Sequence, residues 1–214
     1  MILTPIARHN LARALDHFGT GLLDQLPRRV FQLIRATSPD RAEGPEAESH
    51  RLAALALARN CGMAVHPPDA RCGFNWDGAA LNGATEAYVI LHEIAHFALA
   101  PSKRRRLVDF GLGPGPDTID HDTAERAAVL SPLDCAEDEA AASLLGIVWE
   151  AELGQPALAS FLDQNWLEGL ERCAAAHFSQ VAAGLWRRGL LGPRGAGRGD
   201  ISPLLHMGNK PDKG

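Results

Sequence analysis

Residues 92–96 read His-Glu-Ile-Ala-His, within an almost unbroken apolar run from Ala84 to Ala100. On a helix the two histidines stand one turn apart on one face, so both imidazoles can reach a single metal ion. Glu93 follows the first of them, close enough to act on a metal-bound water. Two imidazoles and a carboxylate are costly to bury in so apolar a helix unless something holds them. A metal explains the pattern better than a pair of hydrogen-bonded core histidines.

Two histidines hold a metal weakly, and a site needs a third protein ligand. The segment after Ser131 offers Asp134, Glu137, Asp138 and Glu139, then turns apolar from Ala140 to Val148. Glu137 is favoured because Ala141, Leu144, Leu145 and Val148 continue its face at helical spacing. Glu139 shares a stripe with Ala142, Ser143 and Gly146 and stays open as the alternative. Asp134 and Asp138 read as carboxylates that complement the helix dipole. His121 and Asp122 would join the site only if their loop folded back, and His66 and His177 have weaker claims.

The elements that must position these groups are mostly helical. Apolar residues between Asn10 and Arg35 recur at helical period, interrupted near Gly19 and Pro27, which predicts two short helices. Residues 37–49 are rich in Pro and Glu and read as a mobile loop. Between Gly62 and Gly83, short apolar stretches broken by Pro67-Pro68, Asp77-Gly78 and Asn82-Gly83 predict a small sheet beside the HExxH helix, with a tight hairpin turn at Asp-Gly. Thr85 is the expected N-cap of that helix. Residues 111–116, Gly-Leu-Gly-Pro-Gly-Pro, form a shaped loop. A further helix is expected from Ser131 as N-cap, with Pro132 at its first position, to Glu152 or Leu153, stopping at Gly154. Gln155-Pro156 opens another towards Gln164, and a last one spans about Leu167 to Arg188. The expected fold class is therefore α+β, mostly helical. Its expected parts are an N-terminal helical region and linker (1–49), a metal-binding domain (50–192) and a disordered tail (193–214).

A net charge of −5 argues against general nucleic-acid binding. The cysteines, Cys61, Cys72, Cys135 and Cys173, form no CxxC pair and read as reduced, mostly buried thiols. With no signal peptide or membrane-length apolar run, the expectation is a soluble cytoplasmic chain without membrane partners.

The stretch His92-Glu93-Ile94-Ala95-His96-Phe97, followed by Ala100, Arg104-Arg105 and Leu107-Val108-Asp109-Phe110-Gly111, resembles the elongation factor P hydroxylase family. That continuation is more specific than HExxH alone, and the likeness covers residues 92–111. Glu137 corresponds to the family's third metal-binding carboxylate. The resemblance implies a zincin-like fold holding non-haem iron, Fe(II), and hydroxylating a protein substrate, a modified lysine of elongation factor P. His92, His96 and one glutamate are also the ligand set of a zinc-dependent peptidase or amidase, so Zn(II) with Glu93 as general base is the alternative. A metal that merely holds the fold of an adaptor is the third reading. Arg104, Arg105 and Arg106 are either a solvated cationic helix end, a lock on the metal loop through Asp109, which would orient a histidine or an arginine, or a dock for an acidic partner surface. Trp76, Trp149, Trp166 and Trp186 read as core or contact aromatics rather than a substrate cage.

Overall fold

The computed structural model describes residues 6–167, 173–192 and 195. Among them the chain is mostly helical: α1 (Arg8–Thr20), α2 (Gln25–Arg35), α3 (Gly44–Asn60), α4 (Ala87–Leu99), α5 (His121–Ala127), α6 (Pro132–Glu152), α7 (Ala157–Asp163) and α8 (Ala174–Arg187). Two short strands, β1 (Ala64–Val65) and β2 (Ala80–Leu81), pair in parallel, Ala64 with Ala80 and Val65 with Leu81. No described helix is long and apolar enough to cross a membrane.

The centre of the fold is the packing of α4 on α6, with α3 on the other flank of α4. α4 and the part of α6 from Ala140 to Trp149 are apolar nearly all round, as helices buried between neighbours must be. Ile90, Leu91, Ile94 and Ala95 of α4 are buried, as are Ala142, Leu144, Leu145, Ile147 and Val148 of α6. Gly146 lets the two backbones approach: a Cβ there would lie 3.2 Å from both the Cα and the N of His92. The cost of a helix-interior glycine, about 1 kcal/mol, is offset by that close approach. α6 begins as expected, with Ser131 Oγ accepting from the Asp134 amide at 3.2 Å and donating to its carboxylate at 2.6 Å. It ends before Gly154, whose φ of +70° glycine adopts without strain.

α2 packs on α6, α7 and α8, and Phe18 and Phe31 form an aromatic cluster with Phe161 and Phe178. The N-terminal helices thus share one hydrophobic core with the helices that carry His92, His96 and the acidic residues.

Several expectations are corrected in detail. The residues read as a loop at 37–49 already belong to α3 from Gly44, where Pro45 sits in the first turn and needs no backbone donor. The N-cap of α4 is Glu86, and Thr85 instead donates to the Glu86 carboxylate at 3.2 Å. Asp77-Gly78 makes the expected tight hairpin turn, with Gly78 at φ +91° and Trp76 bridged antiparallel to Leu81, while the named strands β1 and β2 pair in parallel and β1 packs on α3. The connection to α4 is made by Trp76, edge-on to Phe97 at 5.6 Å. α5 is an additional helix, capped by Asp120. The last helix starts at Ala174, leaving Leu167 outside it. Apart from Gly195, the proposed tail lies outside the described residues beyond 192. The four cysteines are free thiols, of which only Cys61 is buried.

Candidate metal centre

α4 presents His92 and His96 one turn apart, and α6 crosses it so that Glu139 faces both. The Nε2 atoms of the two histidines are 3.0 Å apart, and Glu139 Oε2 lies 3.3 Å from His92 Nε2 and 3.5 Å from His96 Nε2. Donors about 2.0–2.2 Å from one ion in tetrahedral or octahedral geometry stand roughly 2.9–3.5 Å from each other, so this triangle has the size of a coordination face. Two imidazoles and a carboxylate suit zinc or non-haem iron alike.

Glu139, not Glu137, completes the cluster. Glu137 lies two residues earlier and points to solvent. The residue stripe that meets α4 is the one marked by Gly146, and Glu139 is on it two turns earlier. His121 and Asp122 are exposed at the start of α5, and His66 is paired with Asp77 at 2.7 Å. None of the three belongs to the cluster.

The partner of His96 is Asp138. Its Oδ2 accepts from His96 Nδ1 at 3.1 Å, and Arg104 grips the same carboxylate through Nη2 at 3.0 Å and Nη1 at 3.3 Å. Arg104 also donates from Nε to the Phe110 carbonyl at 3.1 Å. Asp138 therefore has the orienting position expected of Asp109, and Arg104 is a lock on the site but through Asp138. Arg105 lies over the Phe97 ring at 4.4 Å, and Arg106 is exposed. No sequence feature separated Asp138 from an ordinary dipole-complementing acid; only the crossing of α6 over α4 brings it to His96.

Asp109 and Phe110 both adopt left-handed backbone, with φ +44° and +53°. That conformation costs a bulky residue roughly 1–2 kcal/mol. It sets Phe110, fully buried, in a stack between Trp76 at 5.4 Å and the ligand-candidate ring of His96 at 5.5 Å. Asp109 lines the cavity, its Oδ2 accepting from Thr118 Oγ1 at 2.8 Å.

The electrostatics are those of a site with its charges held in place. Burial would raise Glu139, but hydrogen bonds from His92 and His96 hold it well below the usual carboxylate range. Burial opposes charge on His96, yet Asp138 and Glu139 lift it to about 10. Burial and the neighbouring His96 charge push His92 down. Glu93, 7 % exposed, is driven up to about 8 by burial. A carboxyl so placed holds a proton at neutral pH in the metal-free chain.

A cavity of about 620 Å³ opens onto His92, Glu93, His96 and Glu139. Its walls include Tyr88, Val89, Leu112, Trp166 and His177. Trp76, Trp149 and Trp166 are buried as expected of core aromatics, whereas Trp186 is exposed and Trp166 doubles as cavity wall. The chain matches no protein-family model, no curated protein and no solved structure.

Proposed function

We propose that this chain is a metal-dependent protein hydroxylase of the elongation factor P hydroxylase kind, zincin-like in its site, with one non-haem iron held by His92, His96 and Glu139. The observation that carries this reading is the convergence of His92 Nε2, His96 Nε2 and Glu139 Oε2 at the base of an open cavity. The Arg-Arg and Leu-Val-Asp-Phe-Gly continuation supports it further, since Arg104 and Phe110 both act on His96, one through Asp138 and one by stacking. Bound iron would supply open coordination positions for dioxygen.

The protein's own groups have distinct tasks. Asp138 fixes the His96 ring and tautomer, leaving Nε2 to face the site, and Arg104 fixes Asp138. Glu93 holds a proton at the cavity face and can give or take it there. Tyr88, Val89, Phe110 and Leu112 wall the cavity and limit water around the reacting groups. Zinc-dependent hydrolysis is the second reading, favoured by the position of Glu93 directly after His92, where it could serve as general base.

The test is anaerobic purification and metal analysis, followed by oxygen uptake with Fe(II), a reductant and elongation factor P carrying its lysine modification. Iron bound one-to-one and a mass gain of one oxygen atom on the partner are expected. Full zinc occupancy that survives iron reconstitution, with no oxygen uptake and with peptide cleavage lost in Glu93→Gln, would replace hydroxylation by hydrolysis.

A further inference from the structure

The cavity wall beyond the metal candidates carries a hydrogen-bonded relay from Trp166 through Ser143 to Gln164. Ser143 follows Glu139 by one turn of α6 and lines the same cavity. Trp166 Nε1 can only donate, and it donates to Ser143 Oγ at 2.8 Å. The Ser143 hydroxyl in turn donates to Gln164 Oε1. The carbonyl end of the Gln164 amide is therefore turned to Ser143, and its NH₂ end is the one left over. Among the described residues that NH₂ donates no hydrogen bond, although Gln164 lines the cavity.

The group is also held still. Trp166, 6 % exposed, is stacked between Phe161 at 6.4 Å and His177 at 5.5 Å. The Gln164 backbone amide donates to Ser160 at the end of α7. The same cavity is lined by carboxyl groups: Glu93, Asp109, Asp117 and Glu139. A fixed pair of N–H donors in such surroundings selects an oxygen acceptor, and the ionised Glu139 disfavours an anionic one.

We infer that Gln164 is a specificity-determining residue whose NH₂ donates to a neutral carbonyl oxygen of the substrate, a peptide group, at the cavity wall where its partner Ser143 follows Glu139 by one turn. The inference rests on the cavity being the substrate site proposed above. It gives a protein substrate a point of attachment through its main chain, independent of which side chain reacts.

N-methylacetamide, the smallest peptide-group mimic, is the probe, titrated into ¹⁵N-labelled full-length protein loaded with Zn(II). The Gln164 side-chain NH₂ signal is identified by its loss in Gln164→Glu. Saturable downfield movement of that signal is expected, with affinity about fivefold weaker in Gln164→Leu and Gln164→Glu, the loss of one hydrogen bond of roughly 1 kcal/mol. Ser143→Ala, which frees the amide to turn over, should weaken binding less than either. Wild-type affinity in both Gln164 variants, an unmoved Gln164 signal, or no binding at high-millimolar probe would overturn the assignment. Zinc stoichiometry, measured first, judges the metal site separately, because the same titration can be run on the metal-free chain.

Discussion

Two glutamates on α6 stand eleven residues apart, about three turns, and so share a face, yet they hold their protons in opposite ways. Glu139 at the N-terminal end is half-buried against two imidazoles and is held ionised. Glu150 at the other end is 1 % exposed. Burial pushes it up to about 7, against the opposing pull of Ser160 and Arg41. Both Glu150 oxygens lie 2.6 Å from Ser160 Oγ, which has one proton to give, and the nearest guanidinium nitrogen of Arg41 is 3.9 Å away. The lesson is that burial alone does not make a reactive carboxylate. What separates the two is whether cationic partners come into hydrogen-bond range, and only the end that meets α4 has them.

Removing the partnered carboxylate should have the largest effect. Glu139→Ala is expected to weaken metal binding by more than the roughly 10–100-fold typical of outer-shell changes, while Glu137→Ala leaves it intact. Competition with a chromogenic chelator reads both, and equal losses would return the third ligand to dispute.

Asp138→Asn acts one step further out. It should cost about 10–100-fold in metal affinity. In the metal-free chain His96 is lifted to about 10, so below that pH an incoming ion displaces its proton and affinity climbs with pH. Asp138→Asn lowers the His96 pKa and should flatten that climb. A wild-type affinity that does not change with pH would count against a protonated His96.

The smallest effect is at the other end of the helix. Glu150, at about 7 when folded against 4.5 in the unfolded chain, contributes stability that is fully present below pH 4.5 and is lost as pH rises through 7. Glu150→Gln mimics the protonated acid, so it should stabilise the protein at pH 8 by up to about 3 kcal/mol and flatten the stability profile between these values. Urea unfolding at both ends of the range measures this. Lower stability of the variant at pH 8 would show that the Arg41 attraction outweighs desolvation.

Much of this arrangement was legible in the residues, for physical reasons that differ by element. α6 was bounded correctly because Ser131-Pro132 and Gly154 are local signals that act whatever the helix packs against. The α4 pair follows from spacing alone. α3 was hidden by its polar opening, Gly-Pro-Glu-Ala-Glu-Ser-His, which resembles linker composition; only Ala54, Leu55, Leu57 and Ala58 face the core. The choice of Glu137 over Glu139 failed because the apolar-face argument assumes one inward face. α6 is buried continuously from Leu144 to Glu150, so every face looked inward. The discriminating mark was Gly146, a helix-interior glycine signalling close backbone approach, and it lies on the Glu139 stripe. The Asp77-Gly78 hairpin was legible as a local turn signal, whereas the parallel pairing of β1 with β2 joins segments that no local pattern of alternation links.

The column of rings Trp76, Phe110 and His96 also gives the molecule a built-in optical reporter. An indole 3 % exposed, whose Nε1 is tied to the Arg105 carbonyl at 2.8 Å, emits from a rigid, nearly dry environment. Its electronic neighbour but one is the His96 imidazole, which would exchange its proton for the metal on loading. Tryptophan emission lost in Trp76→Phe should therefore follow metal loading directly, and a paramagnetic ion should quench it where zinc does not.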